Sequence, residues 1–204
     1  TKDKVVYGKD TITDYIGDCR FEISPLSFYQ VNPVQTEVLY HKVVEYAGLS
    51  GSETVFDLYS GIGAIALFLA RHAYQVYGVE SVPDAVRDAR RNAKINGLKY
   101  VTFIPGEAEQ VIPELDDQGV RADVVVVDPP RKGCEERMLK TLVKMKPARI
   151  VYVSCHPTAL ARDLRYLTGN GFRVVEVQPV DMFPHTAHVE CVVRIDRKNP
   201  QILP

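Results

Sequence analysis

Cysteine is scarce in this sequence, and the four residues present lie far apart along the chain. Cys19, Cys134, Cys155 and Cys191 form no C-x-x-C pair. Their spacing argues against a disulfide framework or a zinc ribbon and for a reducing compartment, so we expect a cytoplasmic protein. The chain also lacks any apolar run that approaches the roughly 20 residues needed to span a bilayer. Residues 1–4 do not have the character of a secretory signal.

The sequence also has no excess of basic or acidic residues. The 25 lysines and arginines almost balance the 26 acidic residues, for a net charge of -1. The sequence therefore shows no electrostatic footprint for nucleic acid, and a polyanionic partner would need a local basic patch or another domain. At 204 residues, the chain can form one well-buried domain with a small appendage, which we expect to be a monomer.

Apolar runs alternate with helical patterns over most of the length. Asn32 and Pro33 have the form of a helix N-cap followed by proline at the first helical position, and Gly48 marks the end of that helix. Further helices are predicted at 61–72, 83–96, 107–115, 135–145 and 157–168. Strands are predicted at 5–7 and 19–23, and then at 55–58, 76–79, 101–104, 124–127, 150–153, 172–177 and 188–195.

This order predicts an α/β fold built on a mostly parallel sheet of seven strands. Strands separated by helices form parallel sheets with right-handed crossovers. The connection between the last two strands is too short for a crossover, so one of them should be antiparallel.

Reactive side chains follow two of the predicted strands. Asp128 comes directly after VVVV (124–127), and Cys155 follows VYVS (151–154). In open α/β sheets ligands lie beyond the carboxyl ends of the strands, so we expect Asp128 and Cys155 to line one cleft. Cys155 also precedes His156 at the start of a helix, where the helix N-terminus and the imidazole favour the nucleophilic thiolate. A buried structural cysteine is the alternative.

A cofactor turn is indicated by D-L-Y-S-G-I-G (57–63), which joins a strand to its helix. Gly61 allows the backbone to approach a ligand closely, and Glu80, at the end of the next strand, can accept both hydroxyls of a ribose. The glycines also satisfy a dinucleotide pattern, so a NAD-dependent oxidoreductase is an alternative. Asp57 favours S-adenosylmethionine, because the sulfonium and amino groups of this cofactor are cationic, whereas a pyrophosphate would be repelled.

The segments around Asp128 and Glu190 leave other chemistry open. D-P-P (128–130) resembles the D/N-P-P-Y/F signature of amino-group methyltransferases, but Arg131 replaces the aromatic residue, which disfavours amino-group methylation. F-P-H-T-A-H-V-E-C (183–191) contains possible zinc ligands. In an extended segment, however, His188 and Glu190 face one way and Cys191 the other. We therefore expect no metal site and favour Glu190 as a single carboxylate that acts as a base.

Seven motifs, taken in order, resemble those of the RNA uridine-5 methyltransferases. They extend over about residues 7–194 and are F-Y-Q-V-N (28–32), D-L-Y-S-G-I-G (57–63), V-E-S-V-P-D-A (79–85), N-A-K-I-N-G (92–97), V-D-P-P-R-K-G (127–133), V-S-C-H-P (153–157) and F-P-H-T-A-H-V-E (183–190). The chain looks most similar to the bacterial 23S rRNA branch, through D-P-P-R-K-G and V-D-M-F-P-H-T-A-H-V-E. The branch that modifies the T-loop of tRNA is the alternative.

This resemblance implies a role for each motif. It implies Cys155 as the nucleophile and Glu190 as the general base of methyl transfer to carbon 5 of a uridine. It implies contacts with S-adenosylmethionine at Gln30, Tyr59, Glu80 and Asp128. A methyltransferase-like module that binds RNA without catalysis is a further alternative, which the placement of Cys155, Glu190 and Asp128 at strand ends disfavours.

The resemblance also implies a domain organisation. A class I, Rossmann-like methyltransferase domain would occupy residues 26–197, with a tail at 198–204. Full-length members carry N-terminal RNA-binding domains, so residues 1–25 would be the remnant of a preceding domain. RNA affinity would then depend on domains that this catalytic fragment lacks, and no association with membranes is implied.

Overall fold

A seven-stranded sheet flanked by helices forms the centre of the computed structural model, which describes residues 7–25 and 27–198. The strands of this described part are β1 (Ile12–Ile16), β2 (Cys19–Ile23), β3 (Thr54–Leu58), β4 (Gln75–Glu80), β5 (Val101–Pro105), β6 (Val124–Val127), β7 (Arg149–Ser154), β8 (Phe172–Val180) and β9 (Glu190–Arg197). The helices are α1 (Pro33–Ala47), α2 (Ala64–Leu69), α3 (Pro83–Ile95), α4 (Ala108–Asp117), α5 (Glu136–Met145) and α6 (Pro157–Gly169). None of these helices is long and apolar enough to cross a membrane.

The order of the strands places a crevice at the centre of the sheet. It runs β5-β4-β3-β6-β7-β9-β8, and the first five strands in this order are parallel. The chain order reverses between β3 and β6, and ligands bind at such switch points in open α/β sheets. β9 is antiparallel to both β7 and β8. The prediction of a seven-stranded, mostly parallel sheet with one antiparallel strand is therefore confirmed.

The helix caps read from the sequence are present. The Asn32 side chain accepts a hydrogen bond from the Gln35 N–H at 3.2 Å, and Gly48 ends α1 in the left-handed conformation. These caps fix the length of α1, which covers the face of the sheet that carries Val126 and Val153. β6 is buried over its whole length, as its unbroken run of valines predicts.

Some predicted boundaries differ from the structure. Val5 and Val6, from the first predicted strand, lie outside the described residues, and so does nearly all of the predicted tail. The described hairpin instead joins β1 to β2 through a two-residue Gly17-Asp18 turn, which is a typical hairpin signal. Helix α2 begins at Ala64 and not at Gly61, because Gly61 and Gly63 adopt left-handed conformations that belong to the preceding turn.

The segment before α1 is fixed by a buried carboxylate. Asp88 of α3 accepts hydrogen bonds from the Ser24 N–H, the Ser24 hydroxyl and the Ser27 hydroxyl at 2.7–3.0 Å, and it pairs with Arg91 at 2.7 Å. Because Gln30 follows this turn by three residues, α3 holds the start of the F-Y-Q-V-N motif in place.

Gly78 lies between Asp57 of β3 and Phe103 of β5. A Cβ atom at this position would overlap the Phe103 ring. Because a packed core does not absorb an added methyl group without shifts, we expect Gly78→Ala to lower the free energy of unfolding by about 1–3 kcal/mol. Gly169→Ala is the matched control, since a Cβ there meets no atom within 4 Å. Denaturant unfolding measures both variants, and equal stability would contradict the close packing of β4 on Phe103.

Candidate active site

Four acidic side chains and one thiol lie at the edge where the parallel strands end. Asp57 is next to last in β3, Glu80 is the last residue of β4, Asp128 and Cys155 directly follow β6 and β7, and Glu190 opens β9. Side chains alternate across a strand, so residues two positions apart share a face. Four of the five have a valine at that distance in the core beneath α1, namely Val55, Val126, Val153 and Val192. The structure therefore brings the reactive groups to one edge and one face.

Cys155 and Glu190 are neighbours across the ends of β7 and β9. The last paired residues of these antiparallel strands are Ser154 and Cys191, so the next position in the same register sets Cys155 opposite Glu190. Residues directly opposed on antiparallel strands have Cβ atoms roughly 4.5–5.5 Å apart and point to the same face. Cys155 is half-buried, whereas the other three cysteines are buried. Its sulfur is thus the most accessible thiol of the protein.

Glu190 is a buried residue, with 4% of its surface exposed. Burial, and then the negative charge of Asp128, raise the pKa of Glu190 to about 7, while Arg131 opposes them. Burial raises the pKa of Asp128 to about 6. A carboxyl group with a pKa near neutrality can both accept and release a proton at physiological pH. The pKa of Glu190 is thus in the range that proton transfer at neutral pH requires.

The surroundings of the Cys155 thiol differ from the prediction. Burial, and then the charges of Glu190 and Asp128, raise the pKa of this thiol, with a backbone hydrogen bond and Arg131 acting in the opposite direction. We expected His156 and the helix N-terminus to lower it. Nδ1 of His156 instead accepts a hydrogen bond from the Ala159 N–H at 3.3 Å and caps α6. The expectation that His156 activates the thiol is therefore wrong.

The turn after β3 is held in an uncommon conformation. Tyr59 has a φ of 66°, in the left-handed region that only glycine enters readily, and Gly61 has a φ of 53°. The Glu80 carboxylate accepts the Gly61 N–H at 2.9 Å and the Val82 N–H at 2.8 Å. Local strain of this kind persists where surrounding contacts impose it, and it is concentrated at functional sites.

A cavity of about 60 Å³ lies between this turn, α1 and Asp128. Four of the five predicted cofactor-binding residues line it, namely Gln30, Tyr59, Gly61 and Asp128. Glu80 does not line the cavity, but its carboxylate accepts the hydrogen bond from the Gly61 N–H that holds the turn. The fold thus brings four of the residues selected from the sequence together around one cavity.

Asp57 is the buried acid of this cavity. It is fully buried, and within the part of the chain that the structure describes neither of its carboxylate oxygens has a hydrogen-bond partner of good geometry, with only the Ala66 backbone N–H near enough to act against the rise in its pKa. Burial, and then Asp128, raise the pKa of Asp57 well above its ordinary value. A buried carboxylate without partners calls for a donor or a cation. A ligand that carries amino and sulfonium groups, as S-adenosylmethionine does, fits these residues, whereas a pyrophosphate does not.

Tyr40 of α1 was missed by the sequence analysis. It lines the same cavity, and burial, followed by the charges of Asp128, Tyr29, Asp57 and Glu190, raises the pKa of its hydroxyl well above the usual value. The charges of both Asp57 and Glu190 therefore act on the Tyr40 hydroxyl. Tyr40 lies on the buried face of α1 with Thr36, Leu39 and Val43, and the helical pattern of these residues predicts burial but no contact with a cavity.

The possible zinc ligands near Glu190 do not come together. Cys191 packs into the core on the opposite face of the sheet, and Nδ1 of His188 lies 3.0 Å from Nη2 of Arg131. Among residues 7–25 and 27–198, no three His, Cys, Asp or Glu side chains are arranged to hold a metal ion.

Asp57→Asn is expected to stabilise the protein at neutral pH. Because the pKa of Asp57 is raised in the folded state, ionised Asp57 costs stability increasingly as the pH rises above its unfolded value of 3.8, and asparagine removes this cost. At this chain length each 1 kcal/mol moves the unfolding midpoint by about 2–4 °C. Thermal unfolding should show a higher midpoint for the variant at pH 7.5 and almost no difference at pH 4. Asp117→Asn, at an exposed position, is the control, and a lower midpoint for Asp57→Asn at pH 7.5 would contradict the prediction.

Known proteins are similar to this chain in sequence. A model of the family described as tRNA (uracil-5-)-methyltransferase matches residues 1–198. An uncharacterized RNA methyltransferase from Caldanaerobacter subterraneus subsp. tengcongensis is 61% identical over 196 residues, and one from Bacillus cereus is 60% identical over 196 residues. Each match covers 96% of the chain and 43% of the relative. The chain thus spans less than half the length of these relatives.

Solved structures resemble the fold as well. The Pyrococcus abyssi tRNA (uracil-54, C5)-methyltransferase, in complex with S-adenosyl-L-homocysteine, is 37% identical with a TM-score of 0.81, covering 96% of this chain and 48% of that chain. TYW2 of M. jannaschii, in complex with AdoMet, is 20% identical with a TM-score of 0.65, covering 95% of this chain and 90% of that chain. At that identity, the second likeness concerns the fold alone.

Proposed function

The chain belongs to the tRNA (uracil-5-)-methyltransferase family, and on this premise we propose that it transfers a methyl group from S-adenosylmethionine to carbon 5 of a uridine in RNA. The observation that supports this most directly is the placement of an accessible thiol opposite a buried carboxyl group, Cys155 opposite Glu190. Carbon 5 of uracil is too weak a nucleophile to react unaided. A nucleophile and a base within reach of the same ring are what its methylation requires.

The cofactor would be held at the switch point of the sheet. The residues that would contact it are Gln30, Asp57, Tyr59, Gly61, Glu80 and Asp128. Asp57 would face its cationic groups, and Glu80 would accept hydrogen bonds from its ribose hydroxyls. When bound, S-adenosylmethionine supplies an electrophilic methyl group, which carbon 5 of the uracil takes up.

Cys155 and Glu190 would act before and after the methyl group is transferred. The Cys155 thiolate adds to carbon 6 of the uracil and moves electron density to carbon 5, which divides one difficult step into two easier ones. Glu190 then removes the proton from carbon 5, and the Cys155 sulfur leaves as the C5–C6 double bond is restored. The pKa of about 7 allows Glu190 to take this proton and then release it to water.

The target base has to leave its stack to reach Cys155. Phe28, which is 76% exposed, stands at the mouth of the cavity beside Tyr29 and Gln30. An exposed aromatic ring offers a stacking surface to a base of any sequence. We propose that Phe28 receives the flipped-out uridine.

We expect kcat/KM for methyl transfer to rise with pH between about pH 6 and 8. The base must be ionised to act, and Glu190, with a pKa of about 7, loses its proton over this range. The raised pKa of the Cys155 thiol acts in the same direction, because the thiolate becomes more abundant as the pH rises. Initial rates at constant ionic strength measure this profile. A rate that does not change between these limits would contradict both assignments.

The RNA target that we propose is 23S rRNA. The proposal is supported by D-P-P-R-K-G (128–133) and V-D-M-F-P-H-T-A-H-V-E (180–190), through which the chain resembles the rRNA branch. A tRNA uridine is the second candidate, because the enzyme from P. abyssi with the same fold is a tRNA methyltransferase. The relatives are more than twice as long as the match, and the net charge of the chain is -1. We therefore propose that RNA affinity comes mainly from other domains of a longer protein.

RNA fragments that carry 5-fluorouridine test the reaction and its target together. Fluorine cannot leave carbon 5 as a proton does, so the covalent intermediate should accumulate. With S-adenosylmethionine present, we expect a methylated RNA–protein adduct on the peptide that contains Cys155, and more of it with 23S rRNA fragments than with tRNA. An adduct with tRNA alone would favour the second candidate. No adduct with either RNA, in the full-length protein with its other domains present and S-adenosylmethionine bound, would contradict the proposed function.

A further inference from the structure

The Cys155 sulfur lies in poor electrostatic surroundings for a nucleophile. Glu190 and Asp128 both place negative charge beside it, and Nδ1 of His156 is engaged in capping α6. A reactive cysteine normally has a cation or a metal close by, because only the thiolate is strongly nucleophilic. The site therefore needs a source of positive charge.

Arg131 extends across the end of the strand that carries Cys155. It belongs to the loop that follows β6, and its Nη2 lies 3.0 Å from Nδ1 of His188, which comes two residues before β9. In the sheet, β7 lies between β6 and β9. The contact between Arg131 and His188 therefore bridges the end of β7, where Cys155 stands.

His188 is suited to hold this guanidinium. Arginine has no acceptor, so Arg131 donates and Nδ1 of His188 accepts, which requires the imidazole to be neutral. The His188 ring packs edge-on against Phe183, with centroids 6.2 Å apart, and its backbone N–H donates to the Thr186 hydroxyl at 3.2 Å. The ring is thus oriented by its own segment, and four of the five N–H groups of Arg131 remain for other partners.

Hydrogen bonds from α6 also fix the backbone of the loop that carries Arg131. Nη2 of Arg162 donates to the Lys132 carbonyl at 2.8 Å and to the Cys134 carbonyl at 3.2 Å, and Asp163 accepts the Cys134 N–H at 2.8 Å. The next cation, Lys132, pairs with Glu135 at 2.5 Å and lines a different cavity, between α5 and α6. Arg131 is therefore fixed at both ends, and Lys132 serves another surface.

We propose that Arg131, positioned by His188, supplies the positive charge that stabilises the thiolate of Cys155 against the neighbouring carboxylates. The thiol proton passes to solvent, and the guanidinium stabilises the remaining sulfur anion without bonding to it or taking up the proton. His188 is a positioning residue, because it acts on the sulfur through Arg131. The inference rests on the proposed function, since it concerns the nucleophile of that reaction.

Alkylation by iodoacetamide tests the inference without RNA or cofactor. Cys155 should react first, because the other three cysteines are buried, and mass spectrometry identifies the modified peptide. For Arg131→Gln we expect the rate at pH 8 to fall about three- to tenfold and the pH midpoint to rise, as for the loss of one nearby charge in a partly exposed site. Glu190 of β9 and Asp128 after β6, the two carboxyl groups that act on the sulfur, are present in every variant.

Three further variants separate charge from structure. Arg131→Lys keeps the charge and should retain at least about half of the rate. His188→Ala should give a rate between those of the parent and Arg131→Gln, because it leaves the guanidinium in place but unsupported. Lys132→Gln removes the neighbouring cation and should leave the rate unchanged.

Equal alkylation rates for Arg131→Gln and the parent, at equal thermal stability, would overturn the inference. A weaker affinity of Arg131→Gln for RNA would not rescue the inference. Weaker RNA binding with an unchanged alkylation rate would identify Arg131 as a phosphate contact. If the alkylation rates change as expected but 5-fluorouridine RNA forms no adduct with the full-length protein, the proposed function fails and the inference about the sulfur stands.

Discussion

Cys155→Ala is expected to abolish methyl transfer while leaving the affinity for S-adenosylmethionine unchanged. The loss should be on the order of 10⁴-fold or more, because removing the nucleophile of a covalent mechanism leaves no alternative path of similar barrier. Cofactor affinity should persist because the cavity lined by Tyr59, Gly61 and Asp128 does not include the thiol. Transfer of a labelled methyl group and calorimetric titration with the cofactor measure the two properties.

Cys191→Ala is the matched control for this experiment. Cys191 is paired with Ser154 in the last rung of the β7–β9 ladder, but its side chain is buried on the opposite face of the sheet. This variant should lose some stability and keep its activity. If Cys155→Ala also lost cofactor binding, the thiol would have a structural role, and if it kept normal turnover, the covalent mechanism would be wrong.

Glu190→Gln is expected to form the covalent adduct and fail to release it. Glutamine cannot take the proton from carbon 5, and loss of a general base typically costs about 10²–10⁴-fold in rate. With unmodified RNA, the variant should therefore accumulate a methylated adduct that is visible on a denaturing gel, whereas the parent turns over. Glu114→Gln, at an exposed position on α4, is the control and should behave as the parent. Rapid product release by Glu190→Gln would remove Glu190 from the mechanism.

The same substitution should make the protein more stable in alkaline solution. The pKa of Glu190 is about 7 in the folded state against an ordinary value of 4.5, so the folded protein holds this proton more tightly than the unfolded chain does. The parent thus loses stability as the pH rises from 4.5 to 7, by at most about 3 kcal/mol. Glutamine does not titrate, so the advantage of the variant should be full at pH 8 and absent below pH 4.5. Denaturant unfolding at the two pH values measures it.

The sequence was informative about which reactive side chains lie at the ends of strands. VVVV before Asp128 and VYVS before Cys155 can be recognised as buried parallel strands, and the rule for ligands in open sheets then places both residues at one edge. The same reasoning identified Asp57 and Glu80. These predictions succeed because they depend on local hydrophobic patterns and on a general property of parallel sheets.

Contacts between side chains of distant segments could not be predicted from the sequence. Arg131 and His188 are separated by 57 positions, and nothing in either segment indicates that the two side chains meet above β7. His156 was misread for a related reason, since its identity does not reveal that one nitrogen would cap α6. Tyr40 was missed because a tyrosine on the buried face of a helix has the same pattern whether its hydroxyl meets a cleft or not.

The position of β9 in the sheet bears on how the chain folds during its synthesis. β9 is the last of the described strands in the chain, yet in the sheet it lies between β7 and β8. During translation, one edge of β7 therefore stays unpaired until β9 has been synthesised. A product truncated before Glu190 would keep β3, β4 and β6 and with them the Asp57 cavity. It would lack Glu190, and it would leave β7 paired with β6 on one side only. Such a truncated chain should sequester cofactor without releasing methylated RNA, and it should aggregate through its free strand edge.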